Sequence, residues 1–243
     1  MKHPWLADTL FAHRGLHGLK PGIVENSHAA FLEAIRHGYG IELDVQPTSD
    51  GNAVVFHDNT LERMTGVDGL VADYSTDDLT TIPYLNSTDK LETLDKTLKM
   101  IAGRVPVLIE VKGNSGRHAA LCKAVTRSLS TYKGPAAVIS FRVSILQWFA
   151  RHLPDLPKGF VSKNYDVSTG LPKKEREALT DLSALGTLKP DFITYGIKSL
   201  PSGPVAAARK AGIPINCWTV RTKAERELAA AHADTMTFEG FLA

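Results

Sequence analysis

The sequence predicts a (β/α)8 barrel, on three observations. Short apolar, β-branched runs alternate with longer helical stretches from end to end, the pattern of a parallel sheet built from βα units. Once the second and third runs are counted as neighbours around one site, about eight barrel strands remain. The length, 243 residues, matches the roughly 250 residues typical of such a barrel. A doubly wound open sheet is the competing architecture, one or two strands away.

The first run is residues 10–12, followed by a helix over 27–37 for which Asn26 or Ser27 offers an N-cap. Residues 41–45 form the second run, and 52–57 a short third one entered through the turn Ser49-Asp50-Gly51. Further strands are expected at 105–111, 136–140, 158–162, 191–195, 214–219 and 234–238. Helices are expected between them at 94–102, 116–131, 143–151, 173–185, 203–211 and 223–231. Residues 58–93, rich in Asp and Thr, read as an excursion over the barrel mouth. No Gly/Ser or Pro-rich tract separates a second unit, so residues 1–243 read as one domain.

Composition narrows the function. Lys plus Arg is 28 and Asp plus Glu is 26, a formal net charge of +2 without any polybasic run. Nucleic-acid binding and a charged membrane tether are therefore not expected. No apolar run approaches ~18 residues, so no membrane span is expected either. Pro4 and Asp8 fall where a signal peptide needs an apolar stretch. The two cysteines, Cys122 and Cys217, lie far apart, which suits a reducing, cytoplasmic setting.

The most informative residues are Glu42 and Asp44, in the strand-like run Gly40-Ile41-Glu42-Leu43-Asp44-Val45. Positions i and i+2 of a strand share a face, so both acids converge while Leu43 and Val45 point away. Two like charges buried side by side require a cation or hydrogen-bond donors. Glu110 and Lys112 repeat the spacing around Val111. Three hard oxygen ligands, two from one run and one from another, suit one divalent cation, Ca²⁺ or Mg²⁺, better than Zn²⁺. The competing reading of any one acid is a structural ion pair.

Functional side chains of a barrel gather at the C-terminal ends of its strands. His13 and Arg14 end the first run, His57 and Asp58 the third, and Trp218 stands at the end of a late one. Two imidazoles beside charged residues are candidate proton carriers. Arg14 and Lys112 are natural phosphate ligands, the first through a planar fork of donors and the second as a point charge. With three acids, one dication, one Arg and one Lys the site carries +1, which a phosphodiester monoanion would neutralise. His17 lies in the same loop as His13, with no spacing argument to assign it.

The ordered set Ala12-His13-Arg14-Gly15, Glu25-Asn26, Glu42-Leu43-Asp44-Val45, Val55-Phe56-His57-Asp58, Ile109-Glu110-Val111-Lys112 and Cys217-Trp218-Thr219-Val220 resembles the glycerophosphodiester phosphodiesterase family. The resemblance implies a (β/α)8 barrel using a divalent cation, usually Ca²⁺ or Mg²⁺. It implies that Glu42, Asp44 and Glu110 hold the metal, and that His13 and His57 act as acid and base. Arg14 and Lys112 would contact the phosphate, with Glu25 nearby as support or an additional ligand and Trp218 lining the pocket. The expected reaction is hydrolysis of glycerophosphodiesters to sn-glycerol 3-phosphate and an alcohol. Water or the glycerol 2-hydroxyl would be the nucleophile, and the protein a monomer or homodimer. Alternatives are hydrolysis of larger lipid diesters, as by a lysophospholipase D, or a catalytically silent barrel that binds glycerol phosphates. The chain departs from the family pattern at residues 83–93. It departs again at Thr235-Met236-Thr237-Phe238-Glu239-Gly240, where an Ile-Thr-Asp ending is common.

Overall fold

A computed structural model describes residues 2–113 and 116–243. Nine strands follow in order: β1 (Phe11–His13), β2 (Gly40–Pro47), β3 (Ala53–Val55), β4 (Val107–Val111), β5 (Ala136–Ser140), β6 (Lys158–Ser162), β7 (Phe192–Gly196), β8 (Ile215–Val220) and β9 (Thr235–Phe238). All neighbours are parallel except β3, which turns back antiparallel on β2. β1 pairs with both β2 and β9, so the sheet closes and the open-sheet alternative is excluded. Eight strands form the barrel, and β3 stands outside as a hairpin arm that carries His57.

The helices are α1 (Trp5–Asp8), α2 (His28–Arg36), α3 (Glu62–Thr65), α4 (Thr76–Leu79), α5 (Leu94–Ile101), α6 (His118–Thr131), α7 (Val143–His152), α8 (Lys173–Thr180), α9 (Gly203–Lys210) and α10 (Lys223–His232). Of the two N-caps offered for α2, Ser27 serves: its hydroxyl accepts from the Ala30 amide. Thr93 caps α5 in the same way, and Thr222 with Glu225 forms a reciprocal capping box on α10. The helix expected over residues 173–185 ends at Thr180. The Asp181 carboxylate there accepts from the Ser183 amide, and Leu182 turns left-handed at φ 68°.

Two apolar layers follow from strand alternation. Ile41, Leu43 and Val45 of β2 and Val107, Ile109 and Val111 of β4 face outward against Phe31, Leu98 and Val125 of the helices. Inside the barrel, Leu6, Phe11, Leu108 and Phe192 fill the floor, with Ile139 and Val161 above them and Trp5 packed alongside. Gly159 pairs with Phe192 in register, and a Cβ there would lie 2.4 Å from the phenyl ring. Residues 58–93 hold α3 and α4 over a small core of their own, including Phe56, Leu61, Leu79 and Tyr84. With apolar side chains filling the barrel's N-terminal half, its charged side chains are left at the C-terminal end.

Candidate active site

Register explains why residues distant in sequence meet. His13 of β1 lies beside Glu42 of β2, and Asp44 lies beside Glu110 of β4. All point inward by alternation. One carboxylate oxygen from each of Glu42, Asp44 and Glu110 falls within 4.8 Å of the others. The acids are almost wholly enclosed, with Glu42 3% and Asp44 1% exposed.

Their partners divide them. Asp44 accepts from the Asn26 amide at 2.9 Å and pairs with Lys112 at 2.7 Å and with Arg14 at 3.3 Å. Burial opposes its charge, but Lys112, His57 and Arg14 hold it well below the usual carboxylate range. Glu42 accepts from the Arg14 backbone amide at 3.1 Å and has no Lys or Arg side chain within ion-pair distance among the described residues. Burial, then repulsion from Asp44 and Glu110, pushes its carboxyl well above the usual range. Glu110 is also raised, chiefly by burial, although Lys112 lies 2.5 Å away.

Lys112 thus faces acids, bridging Asp44 and Glu110, because it follows β4 directly and continues the alternation that turns Glu110 inward, beside Asp44 of β2. The ion-pair reading of Glu110 is realised to that extent. Lys112 takes one oxygen from each acid. Among the described residues, Glu42 Oε1 and Glu110 Oε2 have no hydrogen bond. Two of the three carboxylates keep an unused oxygen and Glu42 lacks a cationic side-chain partner, so the cluster forms an all-oxygen donor set that fits a hard divalent cation.

The two imidazoles are held alike. His13 Nδ1 lies 2.7 Å from Glu239 Oε2, and Arg221 donates to the same oxygen at 2.9 Å. His57 Nδ1 lies 2.6 Å from Asp58 Oδ1, and Arg63 reaches both oxygens of Asp58, at 2.5 and 3.1 Å. Each His therefore has Nδ1 anchored by a carboxylate that an Arg holds in turn. Burial lowers the pKa of His13, against the raising effect of Glu239. Gln46 fixes the backbone below His57 by donating to the carbonyls of His57 and Asp58.

Arg14 adopts φ 55° and Gly15 φ 79° in the turn that leaves β1. A Cβ on Gly15 would lie 2.9 Å from Ala30 and Phe31, so the turn requires glycine at this close approach. The Arg14 guanidinium donates to Glu25 at 2.8 Å, and Glu25 is shared with Arg63 at 2.6 Å. Trp218 lies edge-on to Phe141, with ring centroids 5.4 Å apart, and its buried indole N–H has no partner among the described residues. His13, Arg14, Glu42, His57, Glu110, Lys112 and Trp218 line one cavity of about 130 Å³. A second cavity of about 380 Å³ shares His57, Glu110 and Lys112 and is lined further by Asn59, Ser140 and Arg142.

Sequence reasoning missed Asn26 as a ligand of Asp44, and Arg63, Arg221 and Glu239 altogether. Glu239 stands one residue past β9, the same kind of strand-end position as Asp58 and His13, and that slot was its only signal.

The profile of the glycerophosphoryl diester phosphodiesterase family matches residues 13–238. The glycerophosphodiester phosphodiesterase of Bacillus subtilis is 25% identical over 229 residues, covering 88% of this chain and 77% of that protein. That of Bacillus altitudinis is 32% identical over 158 residues, covering 60% and 63%. Among solved structures, an Oleispira antarctica phosphodiesterase in complex with the product sn-glycerol-3-phosphate superposes with a TM-score of 0.79 at 21% identity, covering 95% of this chain and 92% of that one. With the profile spanning most of the barrel and the same fold recurring, the chain belongs to the glycerophosphoryl diester phosphodiesterase family of enzymes.

Proposed function

We propose that the protein, acting as one barrel domain, hydrolyses glycerophosphodiesters to sn-glycerol 3-phosphate and an alcohol, with His13 and His57 as proton carriers. The observation that carries this reading is that both imidazoles line one cavity, each with Nδ1 anchored to a carboxylate. Anchoring at Nδ1 leaves Nε2 to exchange a proton with the reacting oxygens. One His takes the proton of the attacking hydroxyl, from water or the glycerol 2-hydroxyl. The other protonates the leaving alkoxide.

Glu42, Asp44 and Glu110 would hold a divalent cation, Ca²⁺ or Mg²⁺. Such a cation, when bound, polarises a phosphoryl oxygen and lowers the pKa of a bound hydroxyl. Arg14, oriented by Glu25, presents donors to the phosphate. Lys112 has three N–H donors and spends two on Asp44 and Glu110, which leaves one for a phosphate oxygen. Trp218 and Phe141 form the apolar wall against the glycerol carbons. The adjoining cavity, lined by Asp58, Asn59, Ser140 and Arg142, suits a hydrophilic leaving alcohol rather than an acyl chain. Buried, unpaired Cys122 and Cys217 fit cytoplasmic residence, and no described helix is long and apolar enough to cross a membrane.

The test is a panel of glycerophosphodiesters, with lysophosphatidylcholine beside it, assayed with and without chelator. Chelator-sensitive release of sn-glycerol 3-phosphate from the small diesters is the expected result. Binding of glycerol phosphates without turnover of any member would overturn it.

A further inference from the structure

His13, His17 and Glu239 form a second group whose donor atoms all lie within 4.8 Å of one another. Its chemistry differs from that of the three acids, because it offers two imidazoles and one carboxylate. The turn after β1 creates it. Gly15 N–H donates to the Ala12 carbonyl and His17 N–H to the Gly15 carbonyl, folding the His-x3-His segment back on itself. Glu239 arrives from the other end of the chain, just past β9, which pairs with β1.

Existing bonds use only part of these donors. Glu239 Oε2 is taken by His13 and Arg221, while Oε1 has no hydrogen bond among the described residues. His17 Nε2 is buried and has no partner among the described residues either. A buried imidazole nitrogen is ordinarily hydrogen-bonded, so the orphaned Nε2 on a member of this group leaves donor capacity for an occupant. Two nitrogens and one oxygen are the ligand set of zinc-type metals, whereas Mg²⁺ and Ca²⁺ prefer oxygen alone.

We propose that His13, His17 and Glu239 form an inhibitory Zn²⁺ site, separate from the three-acid cation site. Zinc there would replace the His13–Glu239 hydrogen bond with bonds from both residues to the metal. Whichever nitrogen of His13 binds, the imidazole loses one of the two positions that its proton cycle uses. Arg14 and Arg221 stand close by and limit affinity through repulsion, which makes the site reversible rather than structural. The inhibitory part rests on the proposed hydrolysis; the binding part does not.

The test uses the full chain with Mg²⁺ in excess. Equilibrium dialysis against Zn²⁺ should retain one equivalent on the wild type and none on His17→Gln or His17→Asn. Zn²⁺ should inhibit wild-type hydrolysis, and either variant, with its zinc-free rate unchanged, should need about 100-fold more, since losing even an outer-shell partner costs 10–100-fold in metal affinity. Equal zinc retention or equal inhibition in the variants would place the ion on the acids and overturn the proposal. If no glycerophosphodiester is turned over, hydrolysis fails as a reading, and dialysis alone still decides the site.

Discussion

His13 and Glu239, separated by 226 positions in the chain, meet at 2.7 Å across the seam where β1 pairs with β9. Barrel closure thereby fixes the orientation of one candidate proton carrier. Arg221, just past β8, fixes the carboxylate in turn.

Glu239→Gln should lower kcat about 10- to 100-fold with little change in KM, because it affects the orientation and basicity of His13 rather than substrate contact. The limb of the pH–rate profile belonging to His13 should move to lower pH, since a neighbour that raises its pKa is gone. Steady-state kinetics across pH checks both. An unchanged profile would reduce Glu239 to a structural role.

His13→Asn and His57→Asn should each lower kcat by about 10²- to 10⁴-fold, the range of general acid–base catalysis, while circular dichroism stays unchanged. Normal turnover in either variant would remove that imidazole from the reaction.

Burial and two neighbouring acids oppose ionisation of Glu42. In chelator, Glu42→Gln should melt at or above the wild-type temperature. Adding Mg²⁺ or Ca²⁺ should raise the wild-type melting temperature and leave that of the variant nearly unchanged. Glu110→Gln should likewise lose chelator-sensitive activity with the fold intact.

Burial works against the Glu239 charge, yet His13 and then Arg221 hold its carboxyl down to about 2, against an ordinary value of 4.5. A folded-state pKa below the unfolded one gives stability that is complete above about 4.5 and is lost as pH falls toward 2. Thermal melts of Glu239→Gln should therefore depend less on pH than the wild type in that interval.

Gly15→Ala should destabilise the fold by about 1–3 kcal/mol, through the left-handed backbone and the contact with Ala30 and Phe31. It should also weaken phosphate binding by displacing Arg14. Denaturant melts and KM together check the two effects.

The sequence made the barrel legible because period-two alternation and βα spacing are local signals. Glu42, Asp44, Glu110 and Lys112 were legible for the same reason, since i and i+2 share a face. What joins them depends on register, which no local pattern encodes: Asp44 beside Glu110, and Lys112 turned to both. Asn26 read as a cap because Asn is common before helices, whereas at φ 55° it holds Asp44 and Ser27 does the capping. Glu239 fell in a segment that departs from the family pattern, and only barrel closure reveals its partner. The end of α8 depended on a side-chain bond at Asp181 that periodicity does not see.

The β1–β9 seam also bears on biosynthesis. β1 leaves the ribosome first of the nine strands and β9 last, so a nascent polypeptide carries His13 long before Glu239 has been translated. Closure of the barrel, and with it the carboxylate anchor of His13, is thereby deferred until β9 has been translated.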